Sequence, residues 1–184
     1  MDIKEHEKII AKHFDDKHVG ELSSDSIFTI KDICKITNPI NILEIGFNRG
    51  NSALMWLENS NASLTSLDIT DKPKSVSYLE STYKDRFTFH NMDSGQILAY
   101  KLLMTKPFDL VFIDGDHSYQ AVKLDAENSI ELNTKYIVFD DYNHWSHGDD
   151  IKMIINELPL EIIKEYDTGS GQVLVKNLKW KNNE

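Results

Sequence analysis

Short apolar runs alternate with helix-like stretches along most of this 184-residue chain. The runs are typical of buried strands, and seven strands are predicted, at 40–45, 63–69, 86–90, 108–113, 136–139, 160–166 and 172–175. Apolar residues at helical spacing predict helices between them, at 50–58, 74–83, 94–104, 118–132 and 149–158. This alternation indicates an α/β fold, in which helices cover both faces of a doubly wound, mostly parallel sheet.

The two ends of the chain add detail to this pattern. The last two predicted strands are joined through Gly169-Ser170-Gly171, which is too short for a crossover helix, so we expect them to pair antiparallel. Ahead of the first strand, isoleucines at helical spacing predict one or two helices that end at Asn38-Pro39. Since no linker interrupts the pattern, we expect one domain over 1–184, with N-terminal helices in 1–38 and a core at 40–176.

Composition excludes several functional classes. The chain has 20 Lys and Arg against 30 Asp and Glu, a formal net charge of −10, which disfavours nucleic acid as a partner. The single cysteine, Cys34, cannot form an internal disulfide or a cysteine-based zinc site. No apolar run approaches the roughly 20 residues that span a bilayer, and the charged N-terminus does not resemble a signal peptide. We therefore expect a cytoplasmic protein without a membrane partner, whose N-terminal histidines, such as His6, are solvated.

A glycine turn follows the first predicted strand. Gly46 and Gly50 permit a tight turn and a close approach of a ligand to the helix that follows. Asp68 ends the second strand, where a carboxylate can accept hydrogen bonds from ribose hydroxyls. Asn48 breaks the glycine pattern of dinucleotide sites, and Asn51 replaces the lysine of ATP-binding loops, so NAD and ATP are disfavoured. The alternative is a plain strand-to-helix turn.

The segment Leu43-Glu44-Ile45-Gly46-x3-Gly50-x-Ser52-Ala53 resembles the first motif of S-adenosylmethionine-dependent methyltransferases with a Rossmann-like fold. It is most similar to that of the metal-dependent catechol-type and macrolide-sugar O-methyltransferases. The resemblance implies a seven-stranded sheet of order 3-2-1-4-5-7-6, with strand 7 antiparallel, and S-adenosylmethionine as cofactor. It implies a set of cofactor-binding residues: Glu44, Gly46, Phe47, Asn48, Gly50, Ser52, Asp68, Asp93 and Ser94.

Three aspartates follow the fourth and fifth predicted strands. Asp114 ends the fourth strand, and Asp140 and Asp141 follow the fifth, so all three should meet at one edge of the sheet. Neighbouring carboxylates repel one another unless a cation joins them, and a hard divalent ion with oxygen ligands suits them. The resemblance implies that Asp114, Asp140 and Asp141 bind Mg²⁺. The alternative is that Asp140 or Asp141 caps the segment that follows it, and that Asp116 caps the helix that begins at Ser118.

Histidines and aromatic residues surround the predicted acidic cluster. His117 lies three residues after Asp114, and the resemblance to the sugar-type enzymes implies that it is the general base, with a surface or capping histidine as the alternative. Acceptor-binding residues are predicted in the loop after the fifth strand, namely Tyr142, His144 and Trp145. Alternatively, Trp145 anchors this loop against the sheet. His144 and His147 could also bind a metal, but the sequence shows no third histidine beside them.

Together these features predict an S-adenosylmethionine-dependent O-methyltransferase that acts on a hydroxyl of a small molecule or sugar, with Mg²⁺ and His117. The alternatives are a metal-independent methyltransferase, a non-catalytic S-adenosylmethionine-binding protein and a nicotinamide-dependent reductase. The short segment before the first strand offers little lid over the site. A homodimer that completes the acceptor pocket is therefore a further expectation.

Overall fold

The computed structural model describes residues 3–14, 24–96 and 107–182. Its strands are β1 Asn41–Ile45, β2 Ser63–Asp68, β3 Phe87–Asn91, β4 Leu110–Ile113, β5 Tyr136–Phe139, β6 Leu160–Tyr166 and β7 Gln172–Asn177. Its α-helices are α1 Ile3–His13, α2 Ser24–Thr37, α3 Asn51–Asn59, α4 Pro73–Tyr83, α5 Tyr119–Glu131 and α6 Gly148–Glu157. A short 3₁₀ turn, Lys84–Arg86, joins α4 to β3.

The strands form one seven-stranded sheet of order β3-β2-β1-β4-β5-β7-β6. The first five strands pair parallel, whereas β7 pairs antiparallel with both β5 and β6. Both the predicted strand order and the antiparallel last strand are confirmed. In this order β1 and β4 lie side by side at the centre, so the loops that follow them meet at one edge.

Each face of the sheet has its own core, because the central strands are apolar on both sides. One core packs α2 and α3 against the sheet around Trp56 and Phe112, whose rings meet edge to face at 5.6 Å. The other packs α5 and α6 around Phe139 and Ile154. Helices therefore cover both faces, as the sequence predicts.

Helix α2 is tied to the last hairpin by polar contacts. Asp32 accepts hydrogen bonds from the Lys164 ammonium and the Tyr166 hydroxyl, both at 2.7 Å. The hydroxyls of Thr29 and Thr168 lie 3.2 Å apart. The helix that precedes the sheet in sequence thus stands beside its far edge, over the ends of β6 and β7.

Two expectations change with the structure. The predicted solvation of His6 is wrong, because α1 packs onto the protein and leaves this side chain only 1% exposed. Burial lowers the pKa of His6 to about 4. The predicted helix at 94–104 lies mostly outside the described residues, and Ser94–Gln96 form a turn.

Among the helices that the structure describes, none is long and apolar enough to cross a membrane.

Candidate functional site

The turn after β1 requires glycine at two positions. Gly46 has a φ of +97°, and a Cβ there would lie 1.9 Å from the backbone oxygen of Asp114. Gly50 has a φ of +86°, and its Cβ would lie 2.6 Å from the ring of Phe47. The missing side chain at Gly46 lets the turn after β1 press against the segment after β4, and the one at Gly50 leaves room for the ring of Phe47. The backbone beside Asp114 is thereby brought into the site.

Glu44 lies beneath this turn and is fully buried. Its two carboxylate oxygens accept hydrogen bonds from the hydroxyls of Ser52 at 2.6 Å and Ser66 at 2.5 Å. Burial raises the pKa of Glu44 to about 7, although the two hydroxyls oppose the shift. Glu44 therefore links β1 to β2 and to the first turn of α3. These contacts indicate that Glu44 holds the turn in place.

Asp68 fixes the other side of the turn. One carboxylate oxygen accepts a hydrogen bond from the backbone N–H of Asn48 at 2.6 Å. The other accepts from the backbone N–H and the hydroxyl of Thr70, both at 2.7 Å. Asn48 has a φ of +44°, a conformation that asparagine tolerates better than most residues. The end of β2 and the glycine turn are therefore locked together by one carboxylate.

Two grooves open beside the turn. The first, here called the β2–β4 groove, has a volume of about 510 Å³ and is lined by Gly46, Asn48, Asp68, Asp93 and Ser94, together with Asp114 and His117. The second, the α2–β7 groove, has a volume of about 210 Å³. Phe47, Ser52 and Asp140 line it, and so do Asn48 and Asp114. Because Asn48 and Asp114 line both, the two grooves adjoin at the glycine turn.

Asp114 and Asp140 lie at the junction of β4 and β5, and their carboxyl groups hydrogen-bond to each other. Burial and the negative charges of Asp140 and Asp141 raise the pKa of Asp114 well above its usual value. Burial raises the pKa of Asp140 to about 6, against a hydrogen bond of 2.9 Å from the Gln172 amide. Two carboxyl groups that are hydrogen-bonded to each other share a proton in the absence of a cation.

Asp141 points to a pair of histidines. Its Oδ2 lies 3.2 Å from Nδ1 of His117 and 3.0 Å from Nε2 of His147. Burial acts to raise the pKa of Asp141, but hydrogen bonds from Ser170 and His147, with the charge of His117, lower it overall. The backbone of Asp141 is left-handed, with a φ of +58°. Its side chain therefore points in a different direction from the one it would take at the end of a regular strand.

The loop after β5 carries the predicted acceptor residues. His144 stacks on His147 with ring centroids 4.0 Å apart. Trp145 is 91% exposed, so the alternative in which it anchors the loop is wrong. Tyr142 is buried in the core on the α5 and α6 side, and its hydroxyl donates to Glu165 at 3.3 Å. His144 and Trp145, rather than Tyr142, are the loop residues that a bound molecule can reach.

A family model described as a methyltransferase domain matches residues 43–142, which run from β1 through the acidic cluster. The chain belongs to the methyltransferase domain family. With the strand order above, this match confirms the resemblance to S-adenosylmethionine-dependent methyltransferases with a Rossmann-like fold.

The methyltransferase domain has relatives of several kinds. A curated protein named Uncharacterized protein R132, from Acanthamoeba polyphaga mimivirus, is 29% identical over 135 residues. The match covers 65% of this chain but only 59% of that relative's length. A solved O-methyltransferase from Bacillus cereus, in complex with SAH, is 16% identical, with a TM-score of 0.66 over 95% of this chain and 89% of that one.

A second solved structure similar to the methyltransferase domain is MycE, from the mycinamycin biosynthetic pathway, in complex with Mg, SAH and mycinamycin VI. It is 16% identical, with a TM-score of 0.62 over 90% of this chain and 52% of that chain. At these identities both solved structures show a shared fold.

The candidate site also contains residues that sequence reasoning missed. His147 reaches Asp141 and, through it, His117, whereas the sequence offered only His144 as its neighbour. Gln172 donates to Asp140 from β7, far along the chain. Ser66 completes the pair of hydroxyls around Glu44. The alternation of β2 could have indicated Ser66, since it is a polar residue inside an apolar strand.

Proposed function

We propose that this protein transfers a methyl group from S-adenosylmethionine to a hydroxyl oxygen of a small molecule or sugar, with Mg²⁺ and His117. The observation that carries the proposal is the junction at the carboxyl ends of β4 and β5. There Asp114, Asp140, Asp141 and His117 come together beside the adjoining grooves. The similarity to an SAH-bound O-methyltransferase and to MycE, whose complex holds Mg and SAH, supports this reading.

The β2–β4 groove is the proposed place of the nucleoside. S-Adenosylmethionine, when bound, supplies the methyl group that is transferred. Asp68 would accept hydrogen bonds from the ribose hydroxyls, because its carboxylate lies at the end of β2 and lines this groove. Asp93 and Ser94 would lie at the adenine. Phe47, Gly50 and Ser52 would hold the methionine side of the turn, and Glu44 would support it from beneath.

The three carboxylates fit a hard divalent cation. They are oxygen donors, and burial together with repulsion from neighbouring carboxylates raises the pKa of Asp114 and Asp140, so a cation would relieve that repulsion. Asp114, Asp140 and Asp141 would therefore hold Mg²⁺. When bound, Mg²⁺ supplies a Lewis acid that favours the ionised form of an acceptor hydroxyl.

His117 is the proposed general base. Its Nδ1 lies 3.2 Å from Oδ2 of Asp141, so Nδ1 would face this carboxylate and Nε2 would be the nitrogen that accepts a proton. The side chain of His117 is 45% exposed and lines the β2–β4 groove, which lets an acceptor approach. Asp141 thus lies where it would orient the imidazole.

The acceptor would contact the exposed part of the loop after β5. His144 and Trp145 are the residues we propose for this contact, whereas the buried ring of Tyr142 would support the loop. We keep the single domain over 1–184, the homodimer, the absence of a nucleic-acid partner and the cytoplasmic location as predictions.

The test uses S-adenosylmethionine with a labelled methyl group and a panel of sugar and phenol acceptors. We expect label transfer that a chelator suppresses and Mg²⁺ restores, and a loss of about 100-fold in His117→Asn. His90→Asn, at an exposed histidine on β3, is the matched control. Turnover that ignores the chelator would favour the metal-independent alternative. Cofactor binding with no transfer to any acceptor would favour the non-catalytic one.

A further inference from the structure

The side chains of His117, Asp141 and His147 lie close together beside the proposed Mg²⁺ cluster. We propose that these three side chains form a second metal site, which takes a transition-metal ion of the Zn²⁺ type in preference to Mg²⁺. The site would share Asp141 with the proposed Mg²⁺ cluster but adds two nitrogen ligands from outside it. This inference goes beyond the proposed function and stands on ligand geometry.

The three potential ligand atoms lie close to one another. One oxygen or nitrogen from each side chain lies within 4.8 Å of the other two. Oδ2 of Asp141 is 3.0 Å from Nε2 of His147 and 3.2 Å from Nδ1 of His117. Zinc with bonds of about 2.0–2.2 Å separates its nitrogen and oxygen ligands by roughly 3 to 3.5 Å. Small side-chain movements would therefore bring all three onto one ion.

The residues come from two loops that the fold holds in place. His117 lies between β4 and α5, Asp141 follows β5, and His147 immediately precedes α6. The loop that carries His147 is folded tightly on itself, because a Cβ at Gly148 would lie 2.6 Å from the backbone oxygen of Tyr142. This closure returns His147 to Asp141 across six positions of sequence.

A further contact orients the imidazole of His147. Its Nδ1 lies 2.8 Å from the hydroxyl of Ser146, and the same hydroxyl lies 2.9 Å from Nδ1 of His144. With an ion bound, Nε2 of His147 would give up the proton that it donates to Asp141, and Nδ1–H would donate to Ser146, so that the Nε2 lone pair faces the ion. Metal-binding histidines in proteins use such an outer partner to fix the tautomer.

The donor set determines which ion fits. Two imidazole nitrogens and one carboxylate suit zinc and its first-row neighbours, whereas Mg²⁺ prefers oxygen ligands throughout. Three protein ligands also leave a coordination position open. The side chains of Asp141 and His147 are 15% and 16% exposed, so the site is sheltered yet accessible from solvent.

Occupation of this site would have a consequence for His117. With its Nδ1 bound to a metal, the imidazole would carry its proton on Nε2 and could not act as a base. Zn²⁺ would therefore inhibit the proposed methyl transfer. This consequence rests on the proposed function, whereas metal binding itself does not.

The test titrates Zn²⁺ into the full chain by calorimetry and records the visible absorption of the Co²⁺ form. We expect one tight ion per chain, retained in excess Mg²⁺, with affinity about 100-fold weaker in His147→Ala and unchanged in His90→Ala. Circular dichroism checks that the variants are folded, and His147→Gln serves if the alanine variant is not. Equal Zn²⁺ affinity in the wild type and a folded His147 variant would overturn the site.

The inhibition is measured separately. If Zn²⁺ binds as expected and suppresses label transfer in the wild type but not in His147→Ala, the link to His117 holds. If Zn²⁺ binds at this site but transfer continues, the site stands and the link is contradicted. A protein with no transfer to any acceptor would contradict the proposed function, while the titration would still decide the metal site.

Discussion

The α-carbon of Gly46 faces the backbone oxygen of Asp114 so closely that a Cβ would lie 1.9 Å from it. This contact joins the turn after β1 to the first residue after β4, the two segments that adjoin both grooves. A side chain at position 46 must therefore push the two loops apart. We therefore expect a substitution at this position to lower the stability of the fold first, and the activity only as a consequence.

We predict that Gly46→Ala lowers the free energy of unfolding by more than about 3 kcal/mol, because it adds a backbone clash to an unfavourable φ. Gly169→Ala is the matched control. Its φ of +60° is also left-handed, but its Cβ would meet nothing within 4 Å. The control should cost only about 1 kcal/mol. Similar losses in both variants, measured by chemical denaturation, would show that the contact with Asp114 is not tight.

Glu44 should make stability depend on pH. Burial raises its pKa from 4.5 to about 7 in the folded protein. Between these values the folded state keeps a proton that the unfolded state has lost, so stability falls as pH rises through this window and levels off above it. The shift corresponds to about 3 kcal/mol at most. Asp114 and Asp140, whose pKa values are also raised, contribute with the same sign.

Glu44→Gln should therefore lose less stability than the wild type between pH 4.5 and 7. Denaturation curves at a series of pH values measure this directly. Glu161→Gln, at an exposed carboxylate on β6, is the control and should keep the wild-type slope. An unchanged slope in Glu44→Gln would mean that this carboxyl group is ionised throughout.

The contact between Asp32 and Tyr166 should stabilise the docking of α2 on β6. The Tyr166 hydroxyl donates to Asp32 at 2.7 Å, and this bond to a charged group is partly shielded. We predict that Asp32→Ala and Tyr166→Phe each cost about 1 kcal/mol, with a coupling of similar size in the double-mutant cycle, because each variant removes one partner of the bond. Additive losses, within about 0.3 kcal/mol, would contradict a direct contribution of this bond.

Asp140→Asn should separate metal binding from cofactor binding. The amide keeps an oxygen for the Gln172 hydrogen bond but removes a charged ligand from the proposed Mg²⁺ cluster. We expect stimulation of label transfer by Mg²⁺ to fall about 10- to 100-fold, with SAH affinity unchanged. Asp149→Asn, at a side chain that is 96% exposed, is the control. Full stimulation in Asp140→Asn would remove this residue from the metal site.

The strands could be predicted closely because their apolar runs reflect burial on both faces. The bounds that moved did so by one or two residues, as where β7 continues to Asn177, which pairs with Leu160 beyond the apolar run. The carboxylates of Asp114 and Asp140 could also be placed together, because parallel strands bring their carboxyl ends to one edge.

The packing of the loops could not be predicted from the sequence. His147 reaches Asp141 only because the loop closes on Gly148, and nothing in the local pattern indicates that closure. The burial of His6 depends on α1 packing against the protein, and the charged residues around it suggest the opposite. Trp145 shows the converse, since a large apolar side chain stays in solvent. For the two histidines, tertiary contacts rather than the local sequence decide where the side chain lies.

We propose that this methyltransferase domain binds S-adenosylmethionine through Asp68 and the glycine turn. Calorimetric titration with SAH, with and without Mg²⁺, measures this binding. We expect one site per chain in the wild type, with affinity about 10- to 100-fold weaker in Asp68→Ala and unchanged in Asp71→Ala, at an exposed acid nearby. A folded wild-type protein that binds no SAH under either condition would contradict it.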